Sequence, residues 1–270
     1  MTTLNLIGAG HVGRTLGRLF AAQGDLTVQD VLTRSAASAE EAVGFIGAGR
    51  AVGDPALLRP ADIVMLAVGD DQIEAVCESL KVAAGTVVFH CSGAKSSSVL
   101  AAARAQGAFT ASVHPVRSFA DPARVAGDFA GTWCGVEGDA DALAVLTPIL
   151  KGIGAQLVAI DPRAKTVYHA ASVFASNYLV TLMDAALSAY QAAGIPEQVA
   201  RELARPLALE TLDNVLRLGP RQALSGPIAR GDLATVARQQ QALDEWDGGV
   251  GALYRALAEA TVTLARNKWR

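Results

Sequence analysis

Residues able to do chemistry fall into three groups in this chain. The first is Gly8-Ala9-Gly10-His11-Val12-Gly13, a G-x-G-x-x-G pattern that follows the apolar run Leu4-Asn5-Leu6-Ile7 and opens a helical stretch. Gly8 permits a tight turn, Gly10 lets a pyrophosphate approach the backbone, and Gly13 lets helix and strand pack closely. The helix from His11 would aim free N–H groups and its positive dipole end at phosphate oxygens. His11 itself reads as a spacer. A merely structural glycine turn is the alternative, but the position at the first strand of a βαβ series favours a dinucleotide.

Cofactor choice is read at the end of the second strand, where an acid would bond a ribose 2′-hydroxyl and an arginine would accept a 2′-phosphate. Val31-Leu32-Thr33-Arg34-Ser35 stands there. Arg34 offers a charged fork, with Thr33 and Ser35 as hydroxyl donors, which points to NADP(H) rather than NAD(H). Asp30 precedes Val31 and Leu32 and so falls inside the strand. Were the strand to end earlier, NAD would fit.

The second group lies where ligands of doubly wound sheets lie, beyond the carboxyl ends of strands. Ala67, Val68 and Gly69 could line the cofactor, and Asp70 or Asp71 could cap the next helix. Ser92 opens the small-residue turn Ser92-Gly93-Ala94-Lys95-Ser96-Ser97-Ser98, whose hydroxyls could bond a ligand or simply start a helix. His114, in His114-Pro115, could give a proton to oxygen or nitrogen as hydride reaches carbon. His90, within an apolar strand, reads as a core histidine.

The third group is helical. Lys165, His169, Ser172 and Ser176 are spaced by four, three and four residues and form one stripe. That stripe either faces solvent or serves the site. Asn177 projects away from it and could orient a substrate or bond a neighbouring helix. Arg230, in Gly226-Pro227-Ile228-Ala229-Arg230-Gly231-Asp232, could hold a substrate anion or a surface ion pair, with Asp232 as an N-cap.

The elements that must position these residues change character along the chain. Short β-rich runs over residues 3–7, 27–33, 62–68, 86–91, 108–113, 132–136 and 156–160 alternate with helical stretches, the rhythm of parallel βαβ units. Ile63-Val64-Met65-Leu66-Ala67-Val68 is apolar without alternation, as a strand covered on both faces would be. Beyond Pro162 the pattern is helical: 163–193, 197–218, 233–245 and 250–267, with Pro206 expected to kink or divide the second. The expected class is α/β, a Rossmann doubly wound, mainly parallel sheet over 1–161 followed by an all-α domain over 162–270.

Composition fits this. The 270 residues are 51% hydrophobic and 18% charged, enough to bury a large core. A net charge of −3, with no basic block, argues against nucleic acid. Cys77, Cys91 and Cys134 lack CxxC spacing, which suits reduced thiols in the cytoplasm. No metal site is expected. The N-terminus lacks a secretory pattern, and no run approaches the roughly 20 uninterrupted apolar residues of a membrane span.

With Gly8 to Gly13, His90-Cys91-Ser92-Gly93-Ala94, His114-Pro115, Tyr168-His169-Ala170-Ala171 through Asn177, and Gly226 to Asp232 in view, the chain resembles a bacterial family of Rossmann-like, NADP-binding oxidoreductases with a C-terminal helical domain of unknown function. More broadly it is similar to the superfamily of 6-phosphogluconate dehydrogenase, pyrroline-5-carboxylate reductase, ketopantoate reductase and prephenate dehydrogenase. The resemblance implies a homodimer through the helical domain and an active site between domains. It matches Lys165 to an active-site lysine of ketopantoate reductase-like enzymes. It also matches His114-Pro115 to a His-Pro motif of prephenate dehydrogenase-like ones, without the rest of that motif.

The expected activity is hydride transfer between NADP(H) and a small, anionic carbonyl or imine compound. His114, Lys165 or His169 would handle the proton, Ser92 and Asn177 would orient groups, and Arg230 would bind the anion. A non-catalytic NADPH sensor is the alternative from another class.

Overall fold

A computed structural model describes residues 1–266. The chain divides into two compact units, Met1–Ser176 and Asn177–Arg270. In the first, the elements run β1 (Thr2–Ile7), α1 (His11–Ala21), β2 (Leu26–Leu32), α2 (Ala36–Ile46), β3 (Arg50–Val52), β4 (Ile63–Leu66), α3 (Ile73–Ser79) and β5 (Val87–His90). They continue with α4 (Ala101–Ala105), β6 (Phe109–Pro115), α5 (Pro122–Gly127), β7 (Trp133–Gly138), α6 (Ala140–Gly152), β8 (Gln156–Ala159) and α7 (Lys165–Ala175). The strands form one eight-stranded sheet in the order β3-β2-β1-β4-β5-β6-β7-β8. Every pairing is parallel except β6 with β7.

All four residues of β4 and of β5 are buried, because apolar cores lie on both faces of the sheet. Leu6, Met65, Phe89 and Val113 join one core with Leu16 and Phe20 of α1. Their chain neighbours Ile7, Leu66 and Val88 join the other, with Ile73 of α3 and Leu100. This is the two-residue period of a strand buried on both sides.

Several edges differ from the sequence expectation. The edge strand β3 carries no readable period in its three residues. His114 and Pro115 do not follow the sixth strand; they are its last two residues, continued by pairing with Gly135 and Cys134 of β7. Asp70 and Asp71 do not cap α3, since both are taken into a 3₁₀ turn, Asp70–Gln72, ahead of it. The expected helix over 163–193 is interrupted at Ser176, whose backbone leaves the helical region at φ −125°, ψ −72°.

The second unit is helical: α8 (Asn177–Ala192), α9 (Glu197–Leu218), α10 (Pro220–Ala223), α11 (Gly226–Arg230), α12 (Leu233–Trp246) and α13 (Gly248–Arg266). α9 runs through Pro206 undivided; on an exposed helix the missing N–H leaves a carbonyl that water can satisfy. Asp232 caps α12, accepting from the Thr235 N–H at 3.1 Å. The expected end of the last helix at Asn267 lies outside the described residues. Val180, Leu207 and Leu216 are 70%, 61% and 79% exposed. By length and a mean hydropathy of 1.3, the stretch Pro162–Ala192 reaches what a membrane span needs. The expectation of no such segment counted uninterrupted apolar residues, whereas a mean tolerates isolated polar ones.

Candidate functional site

The glycine loop is built as its spacing requires. Gly8 has φ +85°, its N–H donates to the Leu32 carbonyl at 2.8 Å, and a Cβ there would stand 2.6 Å from the Ala67 carbonyl oxygen. A Cβ on Gly13 would stand 2.4 Å from the Gly8 carbonyl oxygen, so only glycine lets α1 start this close to β1. Gly10, by contrast, is exposed with nothing within 4 Å of where a Cβ would be. No side chain caps α1, so the first N–H groups of this helix have no side-chain acceptor. Ala9 is buried, Val12 packs on the core, and His11 is exposed. Ala67 donates to the Ile7 carbonyl at 2.8 Å, and a Cβ on Gly8 would stand 2.7 Å from Val68 Cγ1, so Ala67 and Val68 border the loop; Gly69 follows them and is exposed.

Asp30 lies inside β2, fully buried, and accepts from Arg50 Nε at 2.9 Å and Arg59 Nη2 at 2.6 Å. Burial alone would raise its pKa, but the hydrogen bonds from Arg59 and Arg50 outweigh this and hold it below the ordinary value. The carboxylate is committed to those arginines and is not free for a ribose. Arg34 is exposed and, among the described residues, has no hydrogen-bond or ion-pair partner. Ser35 caps α2, accepting from the Ser38 N–H at 3.2 Å, and the Thr33 hydroxyl donates to the Ser35 carbonyl at 2.8 Å. Of the three expected to meet a 2′-phosphate, only Arg34 is uncommitted.

The second group gathers at the ends of β5 and β6. β1, β4, β5 and β6 run in one direction, so the glycine loop and His114 share one edge of the sheet. β1 and β5 flank β4 and lie about 10 Å apart. His114 Nδ1 is 2.9 Å from the Tyr168 hydroxyl, and its ring meets those of Tyr168 and His169 edge-on at 5.6 Å each. Register explains the reach of Tyr168: His114 is paired with Gly135, where a Cβ would stand 2.4 Å from the tyrosine oxygen. Burial, then the nearby His169 and Lys165, lowers the His114 pKa to about 4.

Beside it, three residues in register on neighbouring strands, His90, Ser112 and Glu137, all hold loop 92–97. His90 Nδ1 accepts from the Ser92 N–H at 3.1 Å, so Nε2 carries the hydrogen and donates to the Ser96 carbonyl at 3.1 Å. It is the satisfied core histidine expected, its pKa lowered by burial to about 4. The Ser112 hydroxyl donates to the Ser92 carbonyl at 3.2 Å. Glu137 accepts from the Ser97 N–H at 2.7 Å and its hydroxyl at 2.8 Å. Ser92 Oγ accepts from the Ala94 and Lys95 N–H groups, a turn-forming role that leaves it buried.

Lys165 does not face solvent. It is 2% exposed, donates to the Ser92 carbonyl at 3.0 Å and to the Ser112 hydroxyl, and lies 4.0 Å from Glu137. Burial lowers its pKa. His169 and Ser172, on the same stripe, are half-buried, and Ser176 is exposed. Sequence reasoning assigned no role to Glu137, Ser112 or Tyr168. One signal was available: an acid among the apolar residues of Trp133-Cys134-Gly135-Val136-Glu137 requires a partner.

Asn177 and Arg230 belong to the second unit and are exposed there; the cluster described here contains neither. Cys91 and Cys134 are free thiols whose pKa burial raises to about 12, so neither is a thiolate nucleophile near neutrality. Among the described residues no group of three or more His, Cys, Asp or Glu side chains could hold a metal ion. A cavity of about 580 Å³ bordered by Asn5, Arg59, Lys81 and Thr86 shares no residue with the glycine loop or the histidine cluster.

Sheet order, glycine loop and polar strand ends together define a dinucleotide-binding type of fold. Residues 2–115 match the Rossmann-like domain, and residues 132–261 match a domain of unknown function, DUF2520. The chain thus consists of a Rossmann-like domain followed by this second domain, whose match begins at β7 within the first compact unit. No curated protein matches it. Among solved structures, it is similar to a protein from Thermotoga maritima, with 28% identity over 99% of this chain and 100% of that one at a TM-score of 0.76. A Bacteroides fragilis protein provisionally named an NADP oxidoreductase is 21% identical over 97% and 98%, with a TM-score of 0.80. The reductive aminase from Aspergillus terreus, in complex with NADPH and ethyl-5-oxohexanoate, is 17% identical over 100% of both chains, with a TM-score of 0.72.

Proposed function

We propose that the chain is an NADP(H)-dependent oxidoreductase that moves hydride to or from a small, anionic carbonyl or imine compound. The observation that carries this reading is the pairing, along one edge of a parallel sheet, of a sterically enforced glycine loop with a half-buried His114–Tyr168–His169 cluster. The names of the Bacteroides and Aspergillus fold relatives support it. The loop 8–13 would hold the pyrophosphate and Arg34 the 2′-phosphate, since Asp30 is spent on Arg50 and Arg59. Lys95, half-buried beside Gly93 and Ala94, has no side-chain partner among the described residues, which favours a substrate with a negative group.

When bound, the nicotinamide supplies or accepts the hydride. The chain's own residues handle the proton that must reach or leave oxygen or nitrogen. His114, with its pKa lowered to about 4, is a neutral imidazole at pH 7 and acts as a hydrogen-bond donor rather than as imidazolium. With the Tyr168 hydroxyl donating to Nδ1, Nε2 carries its hydrogen on the side of Gly93. As that proton leaves Nε2 for the substrate, the Tyr168 proton reaches Nδ1; a solvent proton then returns to Nε2 while the Nδ1 proton goes back to the phenolate, which restores the starting pair.

We also infer that the helical unit self-associates: it leaves Val180, Leu207 and Leu216 among its exposed apolar side chains, and a second copy would take them out of water. Sedimentation as a monomer at working concentration would refute this. The three free thiols suit a reducing, cytoplasmic location.

Titration with NADPH and NADH, followed by NADPH-oxidation assays on 2-keto acids, cyclic imines and aldehydes, tests the central reading. Preferential NADPH binding with turnover of one class is expected. Binding without turnover would favour a sensor, and no binding would overturn the proposal.

A further inference from the structure

Loop 92–97 is tied at both ends by two buried side chains of opposite charge. At its start, the Lys165 ammonium and the Ser112 hydroxyl converge on the Ser92 carbonyl, at 3.0 and 3.2 Å. At its end, both oxygens of Glu137 take Ser97, at 2.7 and 2.8 Å. The two charges lie 4.0 Å apart, with side chains 2% and 4% exposed. Between the ties, Gly93 fits against the two histidines so closely that a Cβ would stand 2.4 Å from His169 Cδ2 and 2.7 Å from His114 Nε2. Where this loop sits therefore decides where those rings can sit.

A buried ion pair is a poor source of stability, because desolvating two charges offsets most of their attraction. Its use is geometric. Lys165 is also badly placed to serve as a proton donor, with two of its hydrogens given to Ser92 and Ser112 and the Glu137 carboxylate nearby.

We propose that Lys165 and Glu137 are paired positioning residues that clamp loop 92–97 and thereby set the His114–His169 geometry. The effect on turnover rests on the oxidoreductase reading; the effect on the rings does not. The test is therefore imidazole NMR of the full-length chain at fixed pH, comparing Lys165→Met, Glu137→Gln and Ser97→Ala. The first two alter charge in opposite senses. A purely electrostatic influence would move the His114 signals in opposite directions, whereas a released clamp moves them the same way. Ser97→Ala keeps both charges and the Ser97 N–H bond while removing the hydroxyl bond of the tie, and it remains usable should either charge variant fail to fold. A shift of His114 and His169 signals in Ser97→Ala, and in the same direction in whichever charge variants fold, is expected. Where turnover is measurable, kcat should fall by about ten- to a hundredfold with no pH limb lost. His114 and His169 signals unmoved in Ser97→Ala, opposite shifts in the two charge variants, or a pH limb lost in Lys165→Met but kept in Glu137→Gln, would overturn the clamp.

Discussion

At the end of β1 the candidate site is backbone, while at the ends of β5 and β6 it is made of side chains brought in from β5, β6, β7 and α7. The glycine loop works by what its residues lack: Gly8 and Gly13 leave room for Ala67 and for each other. The histidine cluster works by what distant residues supply, since Tyr168 lies 54 positions from His114 and Lys165 lies 73 from Ser92. The first region should therefore fail by steric exclusion and the second by loss of chemistry with binding intact.

Gly13→Val breaks the comparison most severely on the binding side. Its Cβ would meet the Gly8 carbonyl at 2.4 Å, a backbone atom that cannot rotate away. NADPH titration should show binding weakened by about a hundredfold or more, and an intact Kd would mean the loop does not hold the dinucleotide. His114→Ala is the complement. Turnover should fall by about a hundredfold or more, with NADPH affinity unchanged.

The two regions also differ in response to acid, because His90 and His114 are both held neutral by burial with pKa near 4. Their unfolded-state value is about 6.5, so between pH 6.5 and 4 the unfolded chain binds more protons than the folded one. Their contribution to stability is fully present above 6.5 and is lost as pH falls toward 4, with a slope of up to about 1.4 kcal/mol per pH unit for each. The carboxylates of Asp30, Asp62 and Asp139 have lowered pKa values, and their contribution is lost only as pH falls below about 5, so the histidine slope is read cleanly between about pH 6.5 and 5. Urea midpoints measured across pH should show the slope, and His90→Asn should remove about half of it. A flat profile over this range would mean that neither ring is held neutral.

What was legible in the sequence follows the same division. Gly8, Gly10 and Gly13 keep a fixed local spacing, β4 is one unbroken apolar run, and His90 bonds Ser92 and Ser96 just beyond it, so these patterns survive in one dimension. The clamp does not, because Glu137 meets Ser97 only through the antiparallel pairing of β7 with β6. Helical spacing placed Lys165 on a stripe with His169 but could not show which way that stripe turned. Ser176 was missed as a helix break because it stands among residues that all read as helical.

Arg34→Ala should weaken NADPH by about tenfold, roughly 1.4 kcal/mol for one charge-assisted contact, and leave NADH unchanged. Equal losses for both would remove the 2′-phosphate from its role.

Gly10→Ala sharpens the comparison with the least disturbance of the protein. Nothing lies within 4 Å of the added methyl, and the backbone there, φ −64° and ψ −168°, is open to any L-residue. Thermal stability should change by no more than about 0.5 kcal/mol. Any loss of NADPH affinity then measures how closely the ligand itself approaches the backbone, a contact the folded chain alone does not contain. Unchanged affinity would place the pyrophosphate farther from Gly10 than the spacing of the motif implies, leaving Gly8 and Gly13 as purely structural requirements of the turn.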